Sequence, residues 1–401
     1  MQMIYMDRVA AAALRPEAIE AMTAFLHDKV GNPSAHIHSA GIAAADYIET
    51  ARKQVADLID APADELIFTS GATESNNLAI KGFLATKTGG EVLVSEVEHY
   101  SILDQSRNPF LANFKFLPLD VDRHGIIDPD QLKKKITSET VLVSIQIANP
   151  EIGTIQPIEK IAEICLASGV PFHTDATAAL GYVPIVIRDS GISMMTLSSQ
   201  TIGGPMGVGG LYIDKPLRLR PIFDGGNQEM GLRPGTENVA GIVGFGAACR
   251  GAGHDLSEKS ARLASLGKKL WRGLESGIEH VEFTGHPEQR LPGHVSFWHR
   301  FIEGESLLLH LNMKGVMAAS GSACSSNLKG ADERDLRASH VLTAVDVPEE
   351  YCSGSISFSL DYSNNEHEIE YVIKIMPEIV RRLEAMSPVY EDYVKQRENR
   401  E

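Results

Sequence analysis

The chain has 401 residues, which is long enough for two or three domains. Of these, 43% are hydrophobic and 22% are charged, a composition typical of soluble globular proteins. Its formal net charge of −16 argues against sequence-independent nucleic-acid binding, which depends on Lys and Arg neutralising phosphates. The sequence contains no run of about 18 apolar residues, so it predicts no membrane span. The N-terminus has no basic residues followed by an apolar stretch, so it does not resemble a signal peptide. We therefore expect a cytoplasmic protein.

Strand-like apolar runs alternate with amphipathic helical patterns through the first 250 residues. The predicted strands are 65–70, 90–99, 141–149, 170–179 and 193–199. Continuous apolar strands with helices between them predict an α/β fold with a mostly parallel sheet covered on both faces. The next run, "GVGGLYID", follows after too short a link for a crossover helix, which predicts an antiparallel strand.

The pattern changes after a long charged helix that is predicted over 255–278. Shorter mixed elements follow, and the helical pattern "EHEIEYVIKIMPEIVRRLEAM" comes near the end. This change predicts a second, smaller α+β domain. We assign residues 14–255 to the large domain, and residues 1–13 and 256–401 to the small domain.

Several candidate functional residues follow predicted strands, at the sheet edge where open α/β proteins bind ligands. "TSGATESNN" is a strand–turn–helix junction whose exposed N–H groups could hold a phosphate, or could simply begin a capped helix. Asp175 lies in an apolar run and needs a cationic or hydrogen-bonding partner. A protonated pyridine nitrogen would serve, and a helix-capping role is the alternative. His99 could stack on a planar ring or be a core histidine.

The four cysteines, Cys165, Cys249, Cys324 and Cys352, contain no CxxC pair. They predict neither a disulfide framework nor a zinc site within one chain. Cys324 differs from the others because it lies among small residues in "SGSACSSN", a setting that suits a reactive thiol. A buried cysteine in a tight turn is the alternative.

Motifs in one order along nearly the whole chain resemble a known family. They include "TSGATESNNLAIKG", "SEVEHYSIL", "IANPEIGTIQPI", "HTDATAALG", "SSQTIGGPMGVGGLYI", "GGNQEMGLRPGTENVAGIVG", "GSACSSN" and "ASHVL". The chain resembles the cysteine desulfurases of the NifS/IscS type, which are class V aminotransferases. The resemblance implies the fold type I pyridoxal-phosphate architecture: a large domain with a mostly parallel seven-stranded sheet and a smaller α+β C-terminal domain. It also implies a homodimer that acts in iron–sulfur cluster assembly with a scaffold or sulfur-acceptor protein.

The resemblance also implies roles for individual residues. Ala72 and Thr73 would hold the cofactor phosphate beside Ser198, and Thr236 would reach it from the neighbouring subunit. His99 would stack on the pyridine ring, and Asp175 would pair with the ring nitrogen. Cys324 would carry sulfur as a persulfide. Apart from the resemblance, a thiolate at this position could also ligate an iron–sulfur cluster shared with a partner.

The chain departs from the family pattern around the same site. In "SSQTIGGPMG", Gln200 stands at the family's histidine, where it is a candidate cofactor-binding residue, and Thr201 stands at the lysine that bonds covalently to the cofactor. Pro150 replaces an asparagine, and Ala178 stands where many members have glutamine. Tyr362 occupies the position of the arginine that binds the substrate carboxylate. Threonine cannot form the lysine's covalent bond or move its protons, so we expect ordinary cysteine desulfurase activity to be absent.

Three functions are compatible with this pattern. The first is a desulfurase-like protein of sulfur transfer or iron–sulfur assembly in which Cys324 acts without the usual lysine chemistry. The second is an enzyme of changed specificity that holds pyridoxal phosphate non-covalently. The third is a non-catalytic pseudoenzyme that binds a partner.

Overall fold

A seven-stranded sheet forms the centre of the larger part of the chain, in a computed structural model that describes residues 3–28, 31–254, 256–321 and 338–398. The strands of the described residues are Ile4–Tyr5 (β1), Leu66–Thr69 (β2), Gly90–Ser95 (β3), Phe114–Leu119 (β4), Thr140–Ser144 (β5), Phe172–Asp175 (β6), Met194–Ser198 (β7), Gly209–Ile213 (β8), Val281–Phe283 (β9), His294–His299 (β10), Val316–Met317 (β11) and Ser355–Ser359 (β12). The strand order in the large sheet is β2-β8-β7-β6-β5-β3-β4. Strand β8 is antiparallel to both of its neighbours, and the other pairs are parallel.

Both faces of this sheet are covered, because successive residues of one strand enter two different hydrophobic cores. In β7, Met194 packs into one core and Met195 into the other. The same alternation occurs in β2, where Ile67 packs into the core that contains Met194 and Phe68 packs into the core that contains Met195. The predicted α/β class, the mostly parallel sheet and the antiparallel β8 are confirmed.

Helices cover the sheet and connect its strands. Within the described ranges they are Pro16–Asp28 (α1), Ser39–Leu58 (α2), Ala72–Asn77 (α3), Tyr100–Leu103 (α4), Pro129–Lys135 (α5), Ile158–Ala167 (α6), Val239–Gly253 (α7), Leu256–Gly277 (α8), Gly304–Met313 (α9), His340–Ala344 (α10), Glu349–Cys352 (α11), Glu366–Glu384 (α12) and Pro388–Glu398 (α13). Among these described helices, none is both long and apolar enough to cross a lipid bilayer.

A second group of elements packs around its own core. Strands β9, β10 and β12 form an antiparallel sheet, and β1 pairs in parallel with β11. Ile4 and Met6 are buried in the same core as residues of α8, β10 and α12. The N-terminal segment thus packs with the C-terminal part of the chain, and the exact division into 14–255 and the remainder stays a prediction.

Candidate active site

A cavity of about 580 Å³ opens at the sheet edge where β2, β3, β5, β6 and β7 end. It brings together residues from segments that are far apart in the sequence. Six of the residues singled out for the cofactor line it, namely Ala72, Thr73, His99, Asp175, Ser198 and Gln200. Pro150 and Ala178 also line this cavity.

The turn after β2 has a backbone that only glycine adopts easily. Gly71 has a φ of 149°, and the α3 helix begins at the next residue, so its first N–H groups have no partner inside the helix. A Cβ on Gly209 would lie 2.7 Å from the Gly71 Cα atom. This close approach of β8 holds the turn in place. Glu74, at the same end of the cavity, is paired with Arg233 at 3.0 Å.

Asp175 and His99 are joined through two intervening side chains. The Asp175 carboxylate accepts hydrogen bonds from the Thr177 N–H at 2.8 Å and from the Asn76 amide at 2.8 Å. The same Asn76 amide donates to the Ser101 hydroxyl, which is 2.8 Å from Nδ1 of His99. Asp175 is buried while His99 is exposed, so the carboxylate is fixed in position and the imidazole face is open for stacking.

The segment that follows β7 offers no amine to this cavity. Gln200 donates its amide to the Ala10 carbonyl at 2.9 Å. Thr201 is wholly buried, and its hydroxyl donates to the Thr177 carbonyl at 2.7 Å, so it lies behind the cavity wall. The sequence has no lysine between Lys160 and Lys215. Among the described residues that line the cavity there is neither a lysine nor an arginine.

Tyr362 is part of a stack of four side chains outside the cavity lining. Its ring lies parallel to that of Tyr182, with the centroids 4.7 Å apart. The guanidinium of Arg8 covers the Tyr182 ring at 3.7 Å, and that of Arg15 lies 4.0 Å from the centroid of Tyr362. The Tyr362 hydroxyl donates to the Gly181 carbonyl. The Tyr362 hydroxyl therefore already has a hydrogen-bond partner within the protein.

Three carboxylates that the sequence analysis did not single out also line the cavity. Asp7, Glu98 and Glu151 each have one buried oxygen without a hydrogen-bond partner. Burial raises the pKa of Asp7 to about 6 and that of Glu151 to about 7. Burial, followed by the nearby Asp175 charge, also raises the pKa of Glu98.

Glu98 and Glu151 were visible in the motifs "EVEHYSIL" and "ANPEIGT". Glu98 lies at the end of the predicted strand 90–99 and Glu151 follows the predicted strand 141–149, and this placement was the signal that could have identified their positions. His340, in "ASHVL", also lines the cavity, and its Nε2 lies 2.9 Å from the Glu98 carbonyl oxygen.

One of the predicted cofactor residues does not line this cavity. Thr236 is exposed and is not among its lining residues. Cys324 lies outside the described residues, so its position as catalytic thiol or cluster ligand stays a prediction. The other three cysteines are buried. Burial raises the pKa of the Cys165 thiol to about 12 and that of the Cys352 thiol to about 11, and it also raises the pKa of Cys249.

Comparison with known proteins identifies the family. Residues 4–372 match the family Aminotransferase class-V. A cysteine desulfurase IscS from Methanosarcina thermophila is 42% identical over 388 residues, which cover 96% of this chain and 94% of the relative. A cysteine desulfurase IscS from Dictyoglomus turgidum is 40% identical over 392 residues, which cover 97% of this chain and 98% of the relative. The chain belongs to the class V aminotransferases, in their cysteine desulfurase branch.

The fold agrees with this assignment. A solved structure of a NifS-like protein superposes with a TM-score of 0.87 at 32% identity, covering 95% of this chain and 100% of the other. The architecture of this class V aminotransferase is thus that of the fold type I pyridoxal-phosphate enzymes. A phosphate could lie at the turn of residues 71–73, and the buried Asp175 carboxylate could pair with a pyridine nitrogen, so the residues present fit the cofactor except for a covalent anchor.

Proposed function

We propose that this protein acts in sulfur transfer or iron–sulfur cluster assembly, without ordinary lysine-dependent cysteine desulfurase activity. Cys324 would be its persulfide carrier or its cluster ligand, and a scaffold or sulfur-acceptor protein its partner. We place it in the cytoplasm as a homodimer. Two relatives of this chain are named cysteine desulfurase IscS, and the proposal keeps sulfur chemistry for this chain while departing from the activity in that name.

The observation that carries the proposal is the environment of Thr201. Its hydroxyl is buried and bonded to the Thr177 carbonyl, and threonine has no amine with which to attach a cofactor. The wall beside it presents Gln200, whose amide is bonded to Ala10. Neither side chain can take over covalent attachment or proton transfer from a lysine.

The remaining cysteines support the assignment of sulfur chemistry to Cys324. A thiol must ionise to attack sulfur or bind iron, and burial raises the pKa of Cys165, Cys249 and Cys352. In the proposed transfer, the Cys324 thiolate attacks the outer sulfur of a donor persulfide. The S–S bond of the donor breaks, a new S–S bond forms on Cys324, and the donor leaves as its thiolate.

Residues of the cavity would hold pyridoxal phosphate non-covalently. The turn of residues 71–73 would bind its phosphate, Asp175 would pair with its ring nitrogen, and His99 would stack on the ring. When bound, the cofactor supplies an electron sink for carbanion chemistry. The protein's part is to position the ring and to exclude water from it.

The test combines two measurements on the full-length protein. Alanine release from L-cysteine is expected to be at background in the presence of added pyridoxal phosphate. After exposure to glutathione persulfide, mass spectrometry is expected to find an additional sulfur atom on the wild type and on Cys352→Ala, but not on Cys324→Ala. Vigorous alanine release, or equal sulfur loading of Cys324→Ala, would contradict the proposal.

A second candidate function is an enzyme of changed specificity, which the cavity carboxylates favour. A general acid or base works best with a pKa near the working pH, and burial raises the pKa of Glu151 to about 7. This function predicts that the absorbance of the cofactor-loaded protein shifts with one particular amine, and that Glu151→Gln slows the shift. An absorbance that no amine changes would argue against it.

A further inference from the structure

A chain of hydrogen bonds leads from Asp175, at the end of β6, to His99 in the cavity wall. The two side chains between them are Asn76 of α3 and Ser101 of α4. Asn76 is wholly buried and Ser101 is half-buried. Neither is among the described residues that line the cavity, so they can affect a ligand there only through side chains that do line it.

The direction of the first bonds is set at the Asn76 amide. Its Nδ2 lies 2.8 Å from Oδ2 of Asp175 and 2.9 Å from the Ser101 hydroxyl oxygen. An amide turned the other way would place its oxygen against the carboxylate, where two acceptors repel each other. The Asn76 Oδ1 is buried and has no partner among the described residues, so the two contacts of the nitrogen fix the amide. Asn76 therefore donates one hydrogen to Asp175 and the other to Ser101.

The next bonds decide which ring nitrogen of His99 carries the hydrogen. The Ser101 backbone N–H donates to Nδ1 of His99 at 3.1 Å, and a backbone N–H cannot accept. The Ser101 hydroxyl accepts from Asn76 and lies 2.8 Å from the same ring nitrogen, so its own hydrogen is directed at Nδ1. With two donors on Nδ1, the neutral ring carries its hydrogen on Nε2.

Gln105 holds the two helices of this chain together. Its side-chain nitrogen donates to the Asn76 carbonyl at 3.3 Å and to the Ser101 carbonyl at 2.7 Å, and the residue is buried. Within the described ranges, the hydrogen bonds of the His99 side chain all involve Nδ1. Because His99 is exposed and lines the cavity, its Nε2–H is available to a ligand.

We propose that Asn76 and Ser101 are positioning residues that fix neutral His99 with its hydrogen on Nε2. In this form the imidazole offers the cavity a hydrogen-bond donor, because a ring nitrogen that carries hydrogen has no lone pair for a proton. An enzyme acting in this cavity would therefore take its base from another group, such as the Glu151 carboxyl considered above. The tautomer belongs to the unliganded chain, and only its effect on cofactor binding rests on the cofactor site proposed above.

Nitrogen NMR measures the position of this hydrogen directly. Spectra of the full-length protein with ¹⁵N-labelled histidine are recorded without ligand at about pH 8, where ordinary imidazole groups are neutral. The spectrum of His99→Gln identifies the His99 resonances by their loss. We expect a hydrogen on Nε2 and none on Nδ1. A hydrogen on Nδ1, in all or part of the molecules, would overturn the proposal.

Variants of Ser101 test whether its hydroxyl takes part. Ser101→Ala removes the hydroxyl and keeps the backbone N–H, so the Nδ1 resonance is expected to move toward that of a ring nitrogen with fewer hydrogen bonds. Ser101→Thr keeps a hydroxyl and is expected to restore the wild-type resonance. Ser106→Ala is the matched control, because the Ser106 hydroxyl donates to the Leu103 carbonyl and not to this chain. An Nδ1 resonance that Ser101→Ala leaves unchanged would refute the role of Ser101.

Affinity for pyridoxal phosphate tests the same residues through the cavity, and calorimetry gives the Kd values. Asn76→Ala removes a donor from Asp175, and Ser101→Ala removes one from His99. A typical hydrogen bond is worth roughly 2- to 10-fold in an equilibrium constant, and each variant is expected to bind the cofactor more weakly by about that factor. Ser101→Thr and Ser106→Ala should match the wild type. Circular dichroism establishes that every variant is folded.

The outcomes separate this inference from the proposed cofactor site. Wild-type affinity in both Asn76→Ala and Ser101→Ala overturns the positioning role. A hydrogen on Nδ1 together with tight cofactor binding overturns the inference and leaves the cofactor site intact. Absence of cofactor binding by the wild type, with the hydrogen on Nε2, overturns the cofactor site and leaves the assigned tautomer standing.

Discussion

Glu151 illustrates how one buried carboxyl group affects the stability of the protein. Its Oε1 has no partner, and its raised pKa of about 7 means that the folded state binds the proton more tightly than the unfolded state does. Protonation of the folded state therefore contributes stability at low pH. That contribution declines as the pH rises from the ordinary range near 4.5 through 7.

We predict that Glu151→Gln stabilises the protein above pH 7.5 by on the order of 2–3 kcal/mol, since each pKa unit corresponds to about 1.4 kcal/mol. Near pH 4.5 the two proteins should be equally stable. Urea unfolding at several pH values measures this difference, and the exposed Glu159→Gln is the control. A difference that is independent of pH would contradict the assigned titration.

At the scale of elements, one buried ion pair joins three parts of the large sheet region. Arg52 of α2 forms two hydrogen bonds to Glu229 at 2.8 and 2.7 Å, and it also donates to the carbonyl of Leu66 in β2. Glu229 in turn accepts the Phe68 N–H at 2.6 Å. Glu229 and Met230 have φ values of 47° and 59°, so the ion pair holds a turn that is unfavourable for residues with side chains.

We predict that Arg52→Ala destabilises the protein by about 3–5 kcal/mol, because it leaves the buried Glu229 carboxylate without its partner. Arg52→Ala combined with Glu229→Gln should recover part of this loss. Lys53→Ala removes an exposed pair with Asp57 and should change stability by less than about 1 kcal/mol. Denaturant unfolding of the four proteins checks the pattern, and a small effect of Arg52→Ala would refute it.

Strands with continuous apolar residues could be predicted from the sequence, and other elements could not. The runs that predicted β2, β3, β5, β6 and β7 are buried strands in the structure. Strand β4 was not predicted, because Lys115 and Pro118 interrupt its apolar pattern, as an edge strand allows. Helix α13 has no buried residue, and so it lacks the apolar stripe by which a helix is recognised.

The site shows a similar limit. The turn of residues 71–73 and Asp175 could be located from strand ends, because chain order alone places them at one edge of the sheet. The missing hydrogen-bond partners of Asp7, Glu98 and Glu151 could not be predicted, since whether an oxygen finds a donor depends on side chains from distant segments. Ser339, for example, reaches Glu151 across 188 positions of sequence.

At the scale of the whole molecule, a second surface feature favours the proposed homodimer. A depression of about 570 Å³ is lined by His36, Arg52, Met230 and Glu237, among others. Met230 is 59% exposed, and Ile37, next to His36 in the chain, is 98% exposed. Exposed apolar side chains around a concave surface are typical of a protein–protein interface. Thr236 precedes Glu237, which lines this depression. A second subunit bound in the depression would therefore lie close to Thr236.

We predict that each cofactor site uses Asp175 from one subunit and Thr236 from the other. Light scattering should give about twice the chain mass of 43.6 kDa. Asp175→Asn and Thr236→Ala homodimers should each bind pyridoxal phosphate about tenfold or more weakly than the wild type, because each loses a hydrogen bond to a charged group.

Mixed dimers of these two variants decide whether the site is shared. If Thr236 acts across the interface, one of the two cavities in a mixed dimer carries both substitutions and the other carries neither. Differently tagged chains purified together should therefore bind half of the wild-type amount of cofactor with wild-type affinity. If Thr236 acts within its own chain, both cavities of the mixed dimer carry one substitution, and no fraction with wild-type affinity forms. Mixed dimers lacking a tight site would thus rule out the shared arrangement while leaving the dimer itself established by its mass.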